Sequence, residues 1–453
     1  MRTFFDQLDT IMSTGLTGSV VRTEGMMTAV AGFPAPVGAE VEIQRQSGTP
    51  ISGEVVGFRD DLTLIYPFSH VSGIRHGNRV RLRRTSRFLR IGEALLGRVL
   101  DAHGMTTDRL PVPLLEDRVR LDRQSPTAVE RPPIDTPFST GVRAIDGMLT
   151  CGRGQRIGIF AGSGVGKSVL LGMMARYTSA DVNVIALIGE RGREVNEFIQ
   201  RDLGPGGLAR SVILVATSDE PALKRVQAAM AATAIAEYFR DQGKNVLLLM
   251  DSVTRFATAQ REIGLAAGEP PTTRGYPPSV FAMLPKLAER AGRNATGSIT
   301  AFYSVLVEGD DANEPISDAV RSLLDGHIIL SRKIASRGQY PAIDVLESIS
   351  RLMPAVVPPE HAQAVLAVRQ VMAAYRDHED LISIGAYRRG TNPLVDTAIA
   401  MHDDINLFLR QEVKEAASIE SAHAKLGKLA ARCVQATKTG QARDTTELEA
   451  TPG

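Results

Sequence analysis

The run Ala161-Gly162-Ser163-Gly164-Val165-Gly166-Lys167-Ser168 directly follows the apolar stretch Ile157–Phe160 and has the residue types that hold a triphosphate. Its glycines permit a tight turn and keep side chains out of the way. Successive backbone N–H groups from Gly162 to Lys167 can therefore point at phosphate oxygens. A helix starting near Lys167 turns its positive end towards the same anion. Lys167 has the length to reach the β- and γ-phosphates, and the Ser168 hydroxyl suits Mg²⁺. The strict pattern opens on glycine where this chain has Ala161. That departure is small, because the later glycines form the nest. A glycine-rich turn of purely structural use has no need of the Lys167-Ser168 pair.

Two carboxylates fit the same chemistry. Val246-Leu247-Leu248-Leu249-Met250 reads as a buried strand ending in Asp251. A carboxylate at the C-terminal end of an interior strand, beside the phosphate loop, can hold the water shell of Mg²⁺. Glu190 follows a second core strand, Val184–Ile188 and Gly189. At a strand's mouth it can orient and deprotonate an attacking water. By position alone it is equally a surface acid in the charged turn Glu190–Glu194.

The elements that must carry these residues alternate. Arg156–Phe160, Val182–Ile188, Val212–Val215, Val246–Met250, Ile299–Val307 and His327–Leu330 read as strands, with helical text such as Pro221–Arg240 between them. Nearly all-apolar strands are expected where helices cover both faces of a mostly parallel sheet. Upstream, Glu40–Ile43, Gly53–Val56 and Arg79–Leu82 alternate with period two between glycine turns, which predicts a small antiparallel barrel over residues 16–100. A Pro-rich linker, Ser125–Pro137, falls inside the segment 101–355 assigned to the phosphate-binding domain. Beyond about residue 355 no strands are evident. Val365, Val368, Met372 and Tyr375 share one helical stripe, as do Val395, Ile399, Ile405 and Phe408, so 356–435 reads as a helical bundle. Residues 436–453 have few large apolar side chains and read as a disordered tail. Residues 1–15 read as a helix whose Phe4, Phe5, Leu8 and Ile11 are either a frayed amphipathic end or a docking face for a partner.

Composition narrows the function classes. The chain has 453 residues, enough for about three domains of ~150 residues, and a formal net charge of +1. That balance gives no global reason to expect nucleic acid or an acidic membrane as partner. Arg75, Arg79, Arg81, Arg83, Arg84, Arg87 and Arg90 cluster, yet no aromatic ladder accompanies them, so they read as a solvated barrel face or a subunit contact. Cys151 and Cys433 are too few for a disulfide framework or zinc knuckle and fit a cytosolic setting. The N-terminus lacks the apolar core of a secretory signal, and no run approaches the ~20 residues of a membrane span.

GERGREV after a strand, LLLMDSVTRFA, PPTTRGYPPSVF and GQYPAIDVLESISR, taken with the phosphate loop, resemble the rotary-ATPase superfamily, and within it the flagellar and type III secretion export ATPases. The resemblance spans nearly the whole chain. It implies a RecA-like P-loop ATPase core between an N-terminal barrel and a C-terminal helical domain, with ATP and Mg²⁺ as ligands. It assigns Glu190 to the lytic water with Arg191 beside it, Tyr340 to the adenine, and Arg351 to the neighbouring subunit's site. It further implies a homohexameric ring that serves protein export. The partners would be stator-like and central-stalk proteins, chaperone–substrate complexes and, through other proteins, a membrane export gate. The setting would be cytoplasmic, at the periphery of the inner membrane. Ile384-Gly385-Ala386-Tyr387, Gly390 and Pro393 are similar to the text of flagellar members, where virulence-type members tend towards an acid at Ala386, and Tyr387 is expected near the adenine. An injectisome ATPase, a catalytic rotary-synthase subunit and a hexameric RNA translocase are the competing readings. The last calls for aromatic platforms, and aromatics are only 5% of the chain. Nucleotide-holding subunits without turnover lack the acid at Glu190.

Overall fold

The computed structural model describes residues 15–46, 48–307 and 314–449, with side chains as far as residue 438. The expected helix over residues 1–15 falls outside the described residues, its last position apart. Strands β1 (Thr17–Glu24), β2 (Met27–Ala31), β3 (Glu40–Ile43), β4 (Ile51–Arg59), β5 (Leu62–Pro67) and β6 (Arg79–Arg84) close an antiparallel barrel in the order β1-β2-β5-β4-β3-β6. The period-two text of β6 is realised: Val80 and Leu82 point inward while Arg79, Arg81 and Arg83 face solvent. Arg83 pairs with Glu42 at 2.6 Å, whereas Arg87 turns inward onto Glu54 at 3.3 Å.

The barrel is shorter than the boundary at residue 100 implied. The chain leaves it after Arg84, Phe88–Ile91 pairs with Asp117–Arg120, and Val99–Leu100 joins the larger sheet beside Ser211–Ala216. Alternation marks a short strand but not the sheet it enters, because that depends on a long-range partner.

The larger sheet contains, in chain order, β7 (Val99–Leu100), β8 (Arg156–Ala161), β9 (Val182–Ile188), β10 (Ser211–Ala216), β11 (Asn245–Asp251), β12 (Ser298–Leu306), β13 (Gly326–Leu330) and β14 (Ile343–Ser350). Their spatial order is β14-β13-β8-β12-β11-β9-β10-β7. Pairing is parallel except for β14 on β13 and the short Gly292–Arg293 on β12. Each central strand is apolar on both faces for a reason visible in the packing. Helix α1 (Lys167–Tyr177) puts Leu170, Leu171 and Met174 against Ile185, Leu247 and Leu249. On the opposite face, helix α2 (Ala222–Asp241) puts Ala228, Ala232 and Ile235 against Val184 and Leu248, and helix α3 (Val253–Ala267) adds Phe256. Each large side chain buried in this way contributes ~1.5–3 kcal/mol.

Helices α4 (Pro359–Ser383), α5 (Pro393–Leu409) and α6 (Ile419–Glu449) form the C-terminal bundle. They dock on Arg143–Met148, where His361 Nε2 lies 2.9 Å from the Gly147 carbonyl and His423 Nε2 3.0 Å from that of Asp146. Helix α6 continues to Glu449, past position 436 where the sequence reads as a disordered tail. That stretch lacks large apolar residues but keeps helix formers such as Ala436, Lys438, Gln441 and Arg443.

Candidate active site

The phosphate loop runs from the end of β8 into α1. Gly164 and Gly166 adopt φ of +79° and +89°, values that a side chain disfavours. Gly166 is also the point of close approach to Tyr340, whose ring carbons lie 3.5 Å from where a Cβ would sit. Val165 is buried and anchors the loop, while Ser163 and Ser168 remain exposed along the cleft. The cleft is about 660 Å³ and is lined by Gly162, Lys167, Ser168, Glu190, Arg191 and Arg255, among others. Helix α1 starts at Lys167, so its free N–H groups open onto this space.

Lys167 lies between the two carboxylates. Its Nζ donates to Asp251 Oδ1 at 2.5 Å and stands 4.0 Å from Glu190 Oε1. Asp251 ends β11 with only 3% of its surface exposed, and the Ser304 hydroxyl donates to the same Oδ1 at 2.6 Å. Glu190 follows Gly189, whose φ of +70° redirects the chain at the strand's mouth. A Cβ on Gly189 would come within 2.9 Å of Arg255 Cβ. Burial pushes the Glu190 carboxyl up to about 7, the Asp251 charge pushes the same way, and Lys167 opposes both. A carboxyl poised there is suited to take a proton near neutrality.

Ser168 and Asp251 fit Mg²⁺. Among the described residues no group of three or more His, Cys, Asp or Glu can hold a metal. Mg²⁺ does not require such a cage, since it keeps waters and relies on substrate phosphates with one or two carboxylates.

Tyr340 is 45% exposed and borders a second cleft of about 280 Å³ with Val169, Met173 and Val413. The Tyr340 carbonyl accepts from the Gln411 N–H at 3.0 Å, which ties this wall to the C-terminal domain. An apolar slot opening beside the phosphate loop suits a planar base. Tyr387 does not line it. The Tyr387 hydroxyl lies 3.2 Å from Asp396 Oδ1 and its ring meets His378 edge-on, so the expectation that it lies near the adenine is not met.

Arg191 lies at the mouth of the cleft, exposed and paired with Glu194 at 3.3 Å. Arg351 is not brought to this site at all. It follows β14, and Ser350 pairs with Gly326 at the start of β13, while the phosphate loop leaves the far end of β8. Its backbone N–H donates to Asp325 and its side chain is exposed.

Sequence reasoning missed Arg255, Arg332 and Ser304. Arg255 and Arg332 line the phosphate cleft. Arg255 lies in the first turn of α3, four residues after the strand-end Asp251 and inside the motif LLLMDSVTRFA, so the motif itself was the available signal. Ser304 shares β12 with the hydroxyls of Ser298, Thr300 and Tyr303, so the text of the strand did not single it out. Arg332 had no local signal.

Comparisons with known proteins give the family and the fold. Residues 141–350 match the nucleotide-binding domain of the ATP synthase alpha/beta family. Residues 357–428 match the T3SS EscN ATPase C-terminal domain. The chain is 51% identical over 414 residues to the flagellum-specific ATP synthase of Bacillus subtilis, covering 91% of this chain and 94% of that one. It is 52% identical over 405 residues to the type 3 secretion system ATPase of Xanthomonas euvesicatoria, covering 89% and 92%. The assembled ATPase EscN from the type III secretion system of enteropathogenic E. coli superposes with a TM-score of 0.87 at 48% identity, over 91% of this chain and 100% of EscN. A phosphate loop, a strand-end aspartate and an acid poised near neutrality thus sit on a backbone shared from barrel to helical domain, and the chain belongs to the family of flagellum-specific and type III secretion ATPases.

Proposed function

We propose that this chain hydrolyses Mg²⁺-ATP as the repeating subunit of a hexameric ring that serves a flagellar-type protein-export apparatus. The observation that carries the reading is the convergence of Lys167, Asp251 and Glu190 on the mouth of the phosphate loop, with Arg351 held away from it.

ATP enters with its triphosphate along Gly162–Ser168 and its base against Tyr340. Lys167 leaves Asp251 for the β- and γ-phosphates, so the ammonium that neutralises Asp251 in the free site becomes the phosphate ligand. Ser168 and Asp251 would hold Mg²⁺, which would neutralise negative charge on the phosphates when bound. Glu190 accepts a proton from the water whose oxygen attacks the γ-phosphorus, and the bond to the ADP oxygen breaks. Arg255, which packs on Gly189, faces the same phosphoryl group from within the subunit. Arg351 of the neighbouring copy supplies the remaining positive charge, which makes each site incomplete without a second copy.

The text Ile384–Pro393 favours flagellar export. The 52% identity to a type 3 secretion system ATPase supports the injectisome as second reading. Among the described residues no helix is long and apolar enough to cross a membrane. Stator-like, central-stalk and chaperone partners would then bring the ring from the cytoplasm to the inner membrane. The related ATPase EscN forms a complex with its central stalk EscO, which supports such a stalk.

Two variants test the chemistry. Lys167→Ala removes the phosphate-facing ammonium and is expected to lose most nucleotide affinity. Glu190→Gln is expected to bind ATP like the parent and lose turnover. Near-parental turnover of Glu190→Gln would show that another group activates the water.

A further inference from the structure

Strand β12 lies between β8, which carries the phosphate loop, and β11, which ends in Asp251. Every residue from Ser298 to Val305 is buried, and most are apolar. Ser304 has 0% of its surface exposed, and its register partner on β8 is Ile159. A hydroxyl at such a position costs free energy unless it is bonded. Its partner is Asp251: Ser304 Oγ donates to Oδ1 at 2.6 Å, and Lys167 Nζ approaches the same hydroxyl at 3.4 Å.

The two donors on Oδ1 differ in mobility. Lys167 sits at the end of a flexible side chain and is required by the phosphates. Ser304 belongs to the middle of a packed sheet and cannot follow. We infer that Ser304 is a positioning residue of the hydrolytic site, whose hydroxyl keeps the Asp251 carboxylate in place once Lys167 has turned to the nucleotide. The inference rests on the reading of Asp251 as a holder of Mg²⁺. Partners of this kind typically change metal affinity or activity by 10–100-fold when removed.

Threonine and valine have the same shape and differ in the hydroxyl, so Ser304→Thr and Ser304→Val separate bonding from packing. The full-length variants would be assayed for the Mg²⁺ concentration giving half-maximal ATPase, and for affinity towards a fluorescent ATP analogue with and without Mg²⁺. Ser304→Thr is expected within about twofold of the parent on each measure. Ser304→Val is expected to need roughly tenfold more Mg²⁺ and to lose the Mg²⁺-dependent gain in nucleotide affinity, with metal-free affinity unchanged. Ser304→Ala, smaller and also without the hydroxyl, must behave like valine, which keeps the test decisive if valine lowers the melting temperature. Equal Mg²⁺ dependence of the threonine and valine variants would overturn the inference, as would an alanine variant matching the parent. Asp251→Asn separates the two levels. If it raises the Mg²⁺ requirement while Ser304→Val does not, only the role of Ser304 falls. If it leaves Mg²⁺ dependence at the parental value, the reading of Asp251 itself fails.

Discussion

Replacing Arg351 by alanine should leave each subunit's nucleotide pocket intact and still remove most of its turnover. The register of the sheet places Ser350 beside Gly326, level with Ile157 near the start of β8, while the phosphate loop follows Ala161. Four residues of strand at ~3.3 Å each separate those levels by about 13 Å, and β13 lies between β14 and β8, a span beyond the reach of an arginine side chain. On the proposed reading the guanidinium acts on a second copy, through a head-to-tail interface that closes into a ring. An arginine supplied in trans is worth about 10³–10⁵ in rate, so the variant should bind ATP normally and turn over slowly even when assembled. Complementation gives the decisive assay. Arg351→Ala retains Glu190, and Glu190→Gln retains Arg351. In rings mixed one to one, about a quarter of interfaces join an intact Glu190 to a neighbour's intact Arg351, so up to roughly that fraction of parental activity should return if sites fire independently. The parent's specific activity should also rise steeply with protein concentration. A subunit fully active at high dilution would refute the argument. Mixed rings as inactive as either variant would rule out independently firing sites that each borrow Arg351 from a neighbour.

With the Glu190 carboxyl raised to about 7 by burial and by the nearby Asp251 charge, the base is active only when ionised, so kcat/KM should climb with pH up to a limb near 7; a flat profile from pH 5.5 to 8.5 would exclude Glu190 as the base. Tyr340→Ala removes one wall of the slot beside Gly166 and should weaken ATP binding about tenfold with kcat little changed, measured as a KM-against-kcat split. Gly166→Ala forces a side chain into φ +89° against the Tyr340 ring, and titration calorimetry should show reduced nucleotide affinity alongside a destabilisation of ~1–2 kcal/mol. Full nucleotide affinity in that variant would mean that the loop's left-handed turn is not needed for the phosphates.

Much of the site was legible because it is local. The phosphate loop is one contiguous turn, Asp251 and Glu190 each end an apolar run, and the core strands announce themselves by burial on both faces. The helical stripes of Val365, Val368 and Val395, Ile405 are local periodicities in the same sense, and both lie buried in the bundle. What the chain's own text could not decide was pairing. Val99–Leu100 looks like barrel text but joins β10, and Ile343–Ser350 lay unread as a strand inside a motif known only by its letters. Ser304 looked like one more position in a strand until β12 was seen between β8 and β11. The removal of Arg351 from its own site follows from the antiparallel turn of β14, a single choice of direction at a sheet edge. Hydrophobic period and turn chemistry act over a few residues and so are written in the sequence. Which strand lies beside which, and in what register, is settled by burial summed over residues more than a hundred positions apart, and that sum exists only in the folded chain.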